Sequence, residues 1–265
     1  MKSSAGPRWQ TCLLSCQLCA RQNRQSSFFE KYSPHDHRIS NNFVNPQQFS
    51  PNEDFDSYPR TFEDDVAKFE RAGGHVIWAP TPDEMYRPGF ATHVQPGGAA
   101  AGLETDFRPH FFRGVATVCC KLFTQTQPDI ALFGEKDYQQ LRVVSQMVRD
   151  LDLPLEIVGC PTVREADGLA MSSRNQYLTA EERQRAPVLY RTLCEVAARL
   201  RNGESCFTEL ESGAAQTLRN SGFEPDYIAI RNALTLEVPA SAGTPQVVLA
   251  AAHLGKARLI DNVRV

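Results

Sequence analysis

The chain has 265 residues, 42% hydrophobic and 22% charged, enough for one large domain or a medium domain with a small one, and an ordinary composition for a core-forming soluble protein. A net charge of -3 and a pI near 6.1 give no basic excess. That argues against nucleic acid or an anionic membrane surface as the main partner, while leaving room for a local basic pocket that takes a phosphorylated ligand.

Residues 1–40 are rich in Gln, Ser, Arg and Cys and follow no period of 2 or 3.6; SPHDHR at 33–38 reads as a turn. The brief apolar patch near Met1 is broken by Cys and Gln and makes a poor signal peptide. Nowhere does the chain hold a run of about eighteen apolar residues, so no membrane-spanning helix is expected. Regular patterning begins at Ile39. Thr61 to Ala72 predicts a helix, with Thr61 as cap, acids in the first turn and Phe62, Val66 and Phe69 on one face; Gly73 and Gly74 stop it. His75 to Pro80 predicts a short buried strand. Arg113 to Gln127 predicts a helix, Asp129 to Phe133 a strand, Tyr138 to Asp150 a helix and Leu155 to Val158 a strand. Such alternation implies right-handed crossovers in a mainly parallel sheet, whose ligands bind beyond the carboxyl ends of the strands. After about residue 163 the texture changes. Helices over 180–201 and 206–221 precede apolar segments at DYIAIR, PQVVLAAAHL and ARLIDNVRV, which predicts a small α+β domain.

Several residue types offer little chemistry. Eight cysteines occur; Cys119, Cys120, Cys160, Cys194 and Cys206 read as buried thiols of a cytosolic protein. Cys12, Cys16 and Cys19 have the C-x3-C-x2-C spacing of radical enzymes that use S-adenosylmethionine, but lack the strand-then-loop context, and read as an accidental tail. His35 and His37 have no further ligand at metal-site spacing; His75 and His253 fall in strands, and His93 and His110 in loops. There is no G-x-x-x-x-G-K-[ST] loop, nor a G-x-G-x-x-G after the first readable strand.

Three runs could bind a ligand. In Gly134-Glu135-Lys136-Asp137 a glycine lets backbone amides approach an anion, Lys136 suits nucleotide phosphates, and Glu135 or Asp137 could orient the lysine or hold magnesium; the same run also reads as a solvated turn. Gly168 to Asn175 places Ser172, Ser173 and Arg174 in a row, either a phosphate clamp or a capped turn beside a surface arginine. Phe43 to Phe49 (FVNPQQF) looks like a strand end entering a turn. Its glutamines, with Gln139 and Gln140, could recognise hydroxyls and a carboxylate, or be surface residues.

Taken together, FVNPQQF (43–49), YPRTFEDD (58–65), RGVATV (113–118), QPDIALFGEKDYQQL (127–141), VREADGLAMSSRNQYL (163–178) and ARLIDN (257–262) resemble the pantothenate synthetases, in the family's order, over about residues 42–265. The resemblance implies an α/β fold: a Rossmann-like parallel-sheet nucleotidyl-transferase domain at 42–162 and a small α+β lid at 163–265, after an aberrant or disordered segment at 1–41. It implies ATP-dependent condensation of (R)-pantoate with β-alanine through pantoyl adenylate, with Mg2+, in a cytoplasmic homodimer. Gln48 and Gln140 then resemble the pantoate contacts, Gln48 also meeting β-alanine. Gly134, Glu135, Lys136 and Asp137 resemble one ATP-binding run, Val163 a backbone contact to adenine, and Met171, Ser172, Ser173 and Arg174 a second; Lys136, Ser172, Ser173 and Arg174 would serve catalysis.

The chain departs from the family in three places. The P-T-M-G-x-L-H-x-G-H motif, whose histidines bind the ATP phosphates, has no counterpart in residues 1–42, so the central first strand is expected to be absent or aberrant and the chain poorly active and poorly stable. The family's R-P-G-H-F-R-G reads Arg108-Pro109-His110-Phe111-Phe112-Arg113-Gly114, and its L-E-G reads Leu103-Glu104-Thr105. An impaired remnant, and another adenylate-forming enzyme on the same scaffold, are the alternative expectations.

Overall fold

The computed structural model describes residues 11–14, 37–49, 62–241 and 243–265. Cys16, Cys19 and His35 lie outside the described residues. The chain divides into two compact units: 1–95, 113–134 and 144–160 form the first, and 96–112, 135–143 and 161–265 the second.

The first unit is built on five parallel strands in the order β3-β2-β1-β4-β5: β1 Thr11–Leu14, β2 His37–Asn41, β3 Val76–Trp78, β4 Ile130–Gly134 and β5 Glu156–Cys160. This is a doubly wound order, with its switch point between β1 and β4. Of the expectation that the central strand is absent or aberrant, absence is corrected by the structure. Thr11-Cys12-Leu13-Leu14 occupies that position, Leu13 pairing with Ile39 on one side and Ala131 on the other. Four residues are too few to show a period, which is why the sequence pattern did not reveal the strand. With β1 in place, the backbone groups of β2 and β4 have ladder partners, and the stability argument built on their exposure no longer applies.

Helix α1 (Phe62–Arg71) carries Glu63, Asp64 and Asp65 in its first turn and Lys68 and Arg71 in its last, matching the helix dipole at both ends. It stops at Gly73, where φ is +78°, with Gly73 N–H bonded to Glu70 O and Gly74 N–H to Phe69 O. Phe69 packs with Ile130 and Leu132. Strand β3 is an edge strand rather than the buried one expected: Val76 is 49% and Trp78 39% exposed. Between β3 and β4 run α2 (Pro82–Met85), α3 (Glu104–Phe107) and α4 (Phe111–Thr126); α5 (Tyr138–Asp150) joins β4 to β5.

The second unit holds an antiparallel sheet of β6 (Glu224–Asn232), β7 (Gln246–Leu254) and β8 (Ala257–Arg264), in the order β6-β7-β8. The single long helix expected over 180–201 is two, α6 (Ala180–Arg185) and α7 (Val188–Arg201), because Pro187 lacks the N–H a continuous helix needs. Thr179 and Glu182 form a reciprocal cap at the start of α6. Leu189, Leu193, Val196 and Leu200 of α7, with Leu210 and Leu218 of α8 (Phe207–Asn220), bury an apolar stripe against Val248, Ala250, Ala252 and Leu259 of the sheet. Of the five cysteines read as buried, only Cys119 is; Cys120, Cys160 and Cys194 are half-buried, and Cys206 is exposed ahead of α8. Burial, with Cys120 beside it, pushes the Cys119 thiol up to about 12.

Candidate active site

Residues Ile130 to Phe133 are fully apolar and buried, as a central parallel strand requires, and β4 ends at Gly134. The chain then turns through a short 3-10 segment, Glu135–Asp137, into α5. The GEKD run therefore sits at the carboxyl end of a strand flanking the switch point, as expected. Gly134 belongs to the first unit and Glu135–Asp137 to the second. Lys136 is half-buried, and among the described residues its ammonium makes no ion pair. Glu135 does not orient that lysine: its carboxylate lies 3.4 Å from the Arg264 guanidinium.

The two glutamines after the turn have different fates. Gln139 is 5% exposed and spends its whole amide on the backbone. It donates to Ala99 O (3.1 Å) and Gly102 O (3.2 Å) and accepts from Glu104 N–H (3.1 Å). The Gln140 side chain makes no hydrogen bond among the described residues and is only half-buried. Side by side on a helix, one side chain is spent on the backbone and the other is not.

In the second unit, residues 163–171 fold into a small hairpin. Met171 N–H bonds to Val163 O (3.0 Å) and Glu165 N–H to Leu169 O (2.8 Å), around a turn in which Gly168 adopts φ +94°. Val163 and Met171, placed apart by sequence, are thus neighbours. The Val163 carbonyl is consumed by this bond, and its N–H has no partner among the described residues. Ser172 then caps the 3-10 helix Ser173–Tyr177, its hydroxyl accepting from Arg174 N–H (3.2 Å), while the Asn175 amide donates to Ala170 O (3.1 Å).

Gln48 lies in the first unit, in the 3-10 turn Pro46–Gln48. Its placement depends on residues to which sequence reasoning gave no role. Asn45, 4% exposed, donates to Gln48 Oε1 (2.9 Å) and Gly114 O (3.1 Å), and accepts from Tyr86 O–H (2.7 Å) and Gln47 N–H (3.2 Å). The Asn45 bond holds the Gln48 amide by its Oε1. Burial, then the neighbouring Cys119, push the Tyr86 phenol well above its usual range, against the opposing bond to Asn45, and keep it a donor. Gly114 has no room for a side chain: a Cβ there would collide with the Gln47 carbonyl. The turn can lie against α4 because residue 114 is glycine, a need that RGVATV carries only once the partner loop is known.

Phe111, at the family's histidine position, carries no titratable group; its ring lies under the Arg108 guanidinium (4.0 Å) and against Phe112 (5.0 Å). His110 is exposed. Among the described residues no three His, Cys, Asp or Glu side chains gather into a metal site. The first unit also has an open cleft of about 400 Å³ lined by Glu84, Arg87, Phe90, Lys121 and Gln125, none of them a site residue expected from sequence.

Residues 30–264 match the family model described as Pantoate-beta-alanine ligase. The pantothenate synthetase of Bradyrhizobium sp. is 56% identical over 225 residues, covering 84% of this chain and 79% of that protein. That of Alkalilimnicola ehrlichii is 51% identical over 239 residues, covering 89% and 84%. The crystal structure of the Thermus thermophilus pantothenate synthetase superposes with a TM-score of 0.87 at 42% identity, covering 98% of this chain and 95% of that one. The Francisella tularensis pantoate-beta-alanine ligase, solved in complex with beta-gamma ATP and beta-alanine, superposes with a TM-score of 0.76 at 29% identity, covering 98% and 92%.

Proposed function

The chain belongs to the pantoate–β-alanine ligase family, and on that premise we propose that it condenses pantoate with β-alanine at the expense of ATP. A pantoate carboxylate oxygen attacks the α-phosphorus, the bond to pyrophosphate breaks, and pantoyl adenylate forms. The β-alanine amine then attacks the acyl carbon, AMP leaves, and the amine gives up its proton. Activation is needed because a carboxylate is a poor electrophile, whereas the mixed anhydride has a good leaving group.

The observation that carries this reading is Lys136, an ammonium without an ion pair among the described residues, in the turn that leaves a switch-point strand. In our reading Lys136 meets the ATP phosphates, with Gly134, Glu135 and Asp137 shaping the turn around them. Ser172, Ser173 and Arg174 hold phosphate oxygens from the second run, beside Met171, and stabilise the charge that grows as pyrophosphate departs. The Val163 N–H is the donor for an adenine ring nitrogen. Gln48 and Gln140 bind pantoate. Magnesium would reach the site on the triphosphate, with Asp137 as the nearby carboxylate, since Mg2+ is usually held by substrate phosphates and one or two carboxylates; it would neutralise charge on the departing pyrophosphate.

Cytoplasmic residence and a homodimer are the family's pattern, and we extend both to this chain. Among the described residues no helix is long and apolar enough to cross a membrane. The test is pyrophosphate release from saturating pantoate and ATP. Lys136→Ala should lower it about 100- to 1000-fold, the loss typical of one transition-state charge contact. A variant within about threefold of the parent would overturn the assignment.

A further inference from the structure

Strand β8 carries two adjacent buried polar residues, Asp261 (4% exposed) and Asn262 (7%). Neighbours on a strand point to opposite faces, so the two side chains reach different elements of the same unit. On one face, the Asn262 amide uses both hydrogens on successive carbonyls of the nucleotide turn, Glu135 O at 2.8 Å and Lys136 O at 3.0 Å. On the other, the Asp261 carboxylate holds Arg164 through two parallel bonds of 2.7 and 2.9 Å. Arg164 in turn donates to Gly168 O (3.1 Å) across the hairpin that leads into Ser172–Arg174, and its guanidinium lies 3.5 Å from the centre of the Tyr190 ring. The Asp261 side chain is also tied to the neighbouring backbone, since its Oδ1 accepts the Asn262 main-chain N–H at 2.8 Å.

A backbone held by one bifurcating amide and one bidentate ion pair has little freedom to drift, and charge-assisted bidentate pairs are the more directional of the two. Neither Asp261 nor Asn262 carries a role in the assignment above, and neither is an acid, base or nucleophile for the reaction. We infer that Asp261 and Asn262 are positioning residues for ATP: β8 sets the spacing between the Lys136 turn and the Ser172–Arg174 run, acting through Glu135 and Lys136 on one face and Arg164 on the other. This rests on the assignment of those two runs to ATP.

The test uses the whole chain and equilibrium titration with ATP and, separately, with pantoate, beside thermal unfolding. Asn262→Asp keeps shape but replaces the donor NH2 with an acceptor facing two carbonyls. It should weaken ATP binding about tenfold or more and leave pantoate binding within about twofold. A folded Asn262→Asp protein with unchanged ATP affinity, or with equal losses for both ligands, overturns the inference, because a purely structural role lowers the melting temperature without singling out ATP. Should that variant fail to fold, Arg164→Lys keeps the charge and loses the paired geometry; the same ATP-selective loss is expected, and its absence overturns the inference equally. Lys136→Ala run alongside separates the two levels. If it loses ATP affinity while Asn262→Asp and Arg164→Lys do not, only the β8 inference falls. If none of the three loses it, the assignment of these runs to ATP falls and the inference with it.

Discussion

Gln139 and Gln140 differ in what surrounds them rather than in chemistry, and that difference makes a clean experiment. Gln139→Ala leaves two carbonyls and an N–H without partners in a buried place, which should cost about 1–3 kcal/mol of stability in a denaturant melt. Gln140→Ala should barely move the melt, whereas Gln48→Ala, which leaves a buried Asn45 N–H without its acceptor, should cost about 1–3 kcal/mol. Both should raise the KM for pantoate roughly 5- to 100-fold, the range of one lost buried hydrogen bond, with the KM for ATP little changed. If only the ATP dependence moved, these glutamines would serve another subsite. From sequence the pair Gln139-Gln140 could be singled out but not divided, because what divides them is Ala99, Gly102 and Glu104, some 35 to 40 residues away. The cysteines show the same limit. Alkylation at pH 8 followed by peptide mapping should modify exposed Cys206 and spare Cys119, whose burial holds the thiol protonated. Equal labelling of the two in the folded chain would contradict the burial assigned to Cys119.

At the scale of elements, the sequence was most readable where period and punctuation agreed. Helix α1 ends at paired glycines and β4 runs straight into GEKD, and both were found within a residue or two. The segment 96–112 has no such period; what fixes it is an ion-pair cluster 154 residues apart in sequence, in which Arg258 meets the Glu104 carboxylate at 2.8 and 2.9 Å and Asp226 at 2.7 Å. Burial alone would raise the Glu104 carboxyl, but Arg258 and Arg108 outweigh it and hold it below the ordinary carboxylate value of 4.5. Because the folded value is the lower one, the stabilisation is complete above about pH 4.5 and is lost as the pH falls through the folded value. Glu104→Gln should therefore cost on the order of 3 kcal/mol at pH 7, and the gap between parent and variant should close on acidification. A gap that stayed constant down to pH 3 would show that the carboxylate charge is not what stabilises this segment. Gly114→Ala probes a different joint. Its methyl group would push the Gln47 carbonyl off α4, so it should weaken pantoate binding through Gln48 and cost about 1–3 kcal/mol.

For the molecule as a whole, the parallel sheet and the placement of GEKD were legible because parallel α/β chains follow few rules of connection. The central strand was not, since four residues inside a Gln-, Ser- and Cys-rich stretch carry no period; its presence removes the reason to expect an unstable sheet. What stays from the sequence is chemical. Residues 1–42 contain no P-T-M-G-x-L-H-x-G-H, so in our reading Lys136, Ser172, Ser173 and Arg174 face the triphosphate without the family's histidine donors. Replacing residues 1–42 by a segment carrying that motif should raise turnover at least about a hundredfold, as expected for restoring donors where transition-state charge develops. Comparable rates in both chains would show those histidines to be replaced by other groups. The most direct test of the account is AMP release from the present chain, measured with ATP and each of pantoate and β-alanine, singly and together. The account predicts slow AMP release above the ATP-only rate only when both acids are present, with one pantothenate formed per AMP and the signal lost in Lys136→Ala; AMP released at the same rate without pantoate, or without pantothenate appearing, would contradict it.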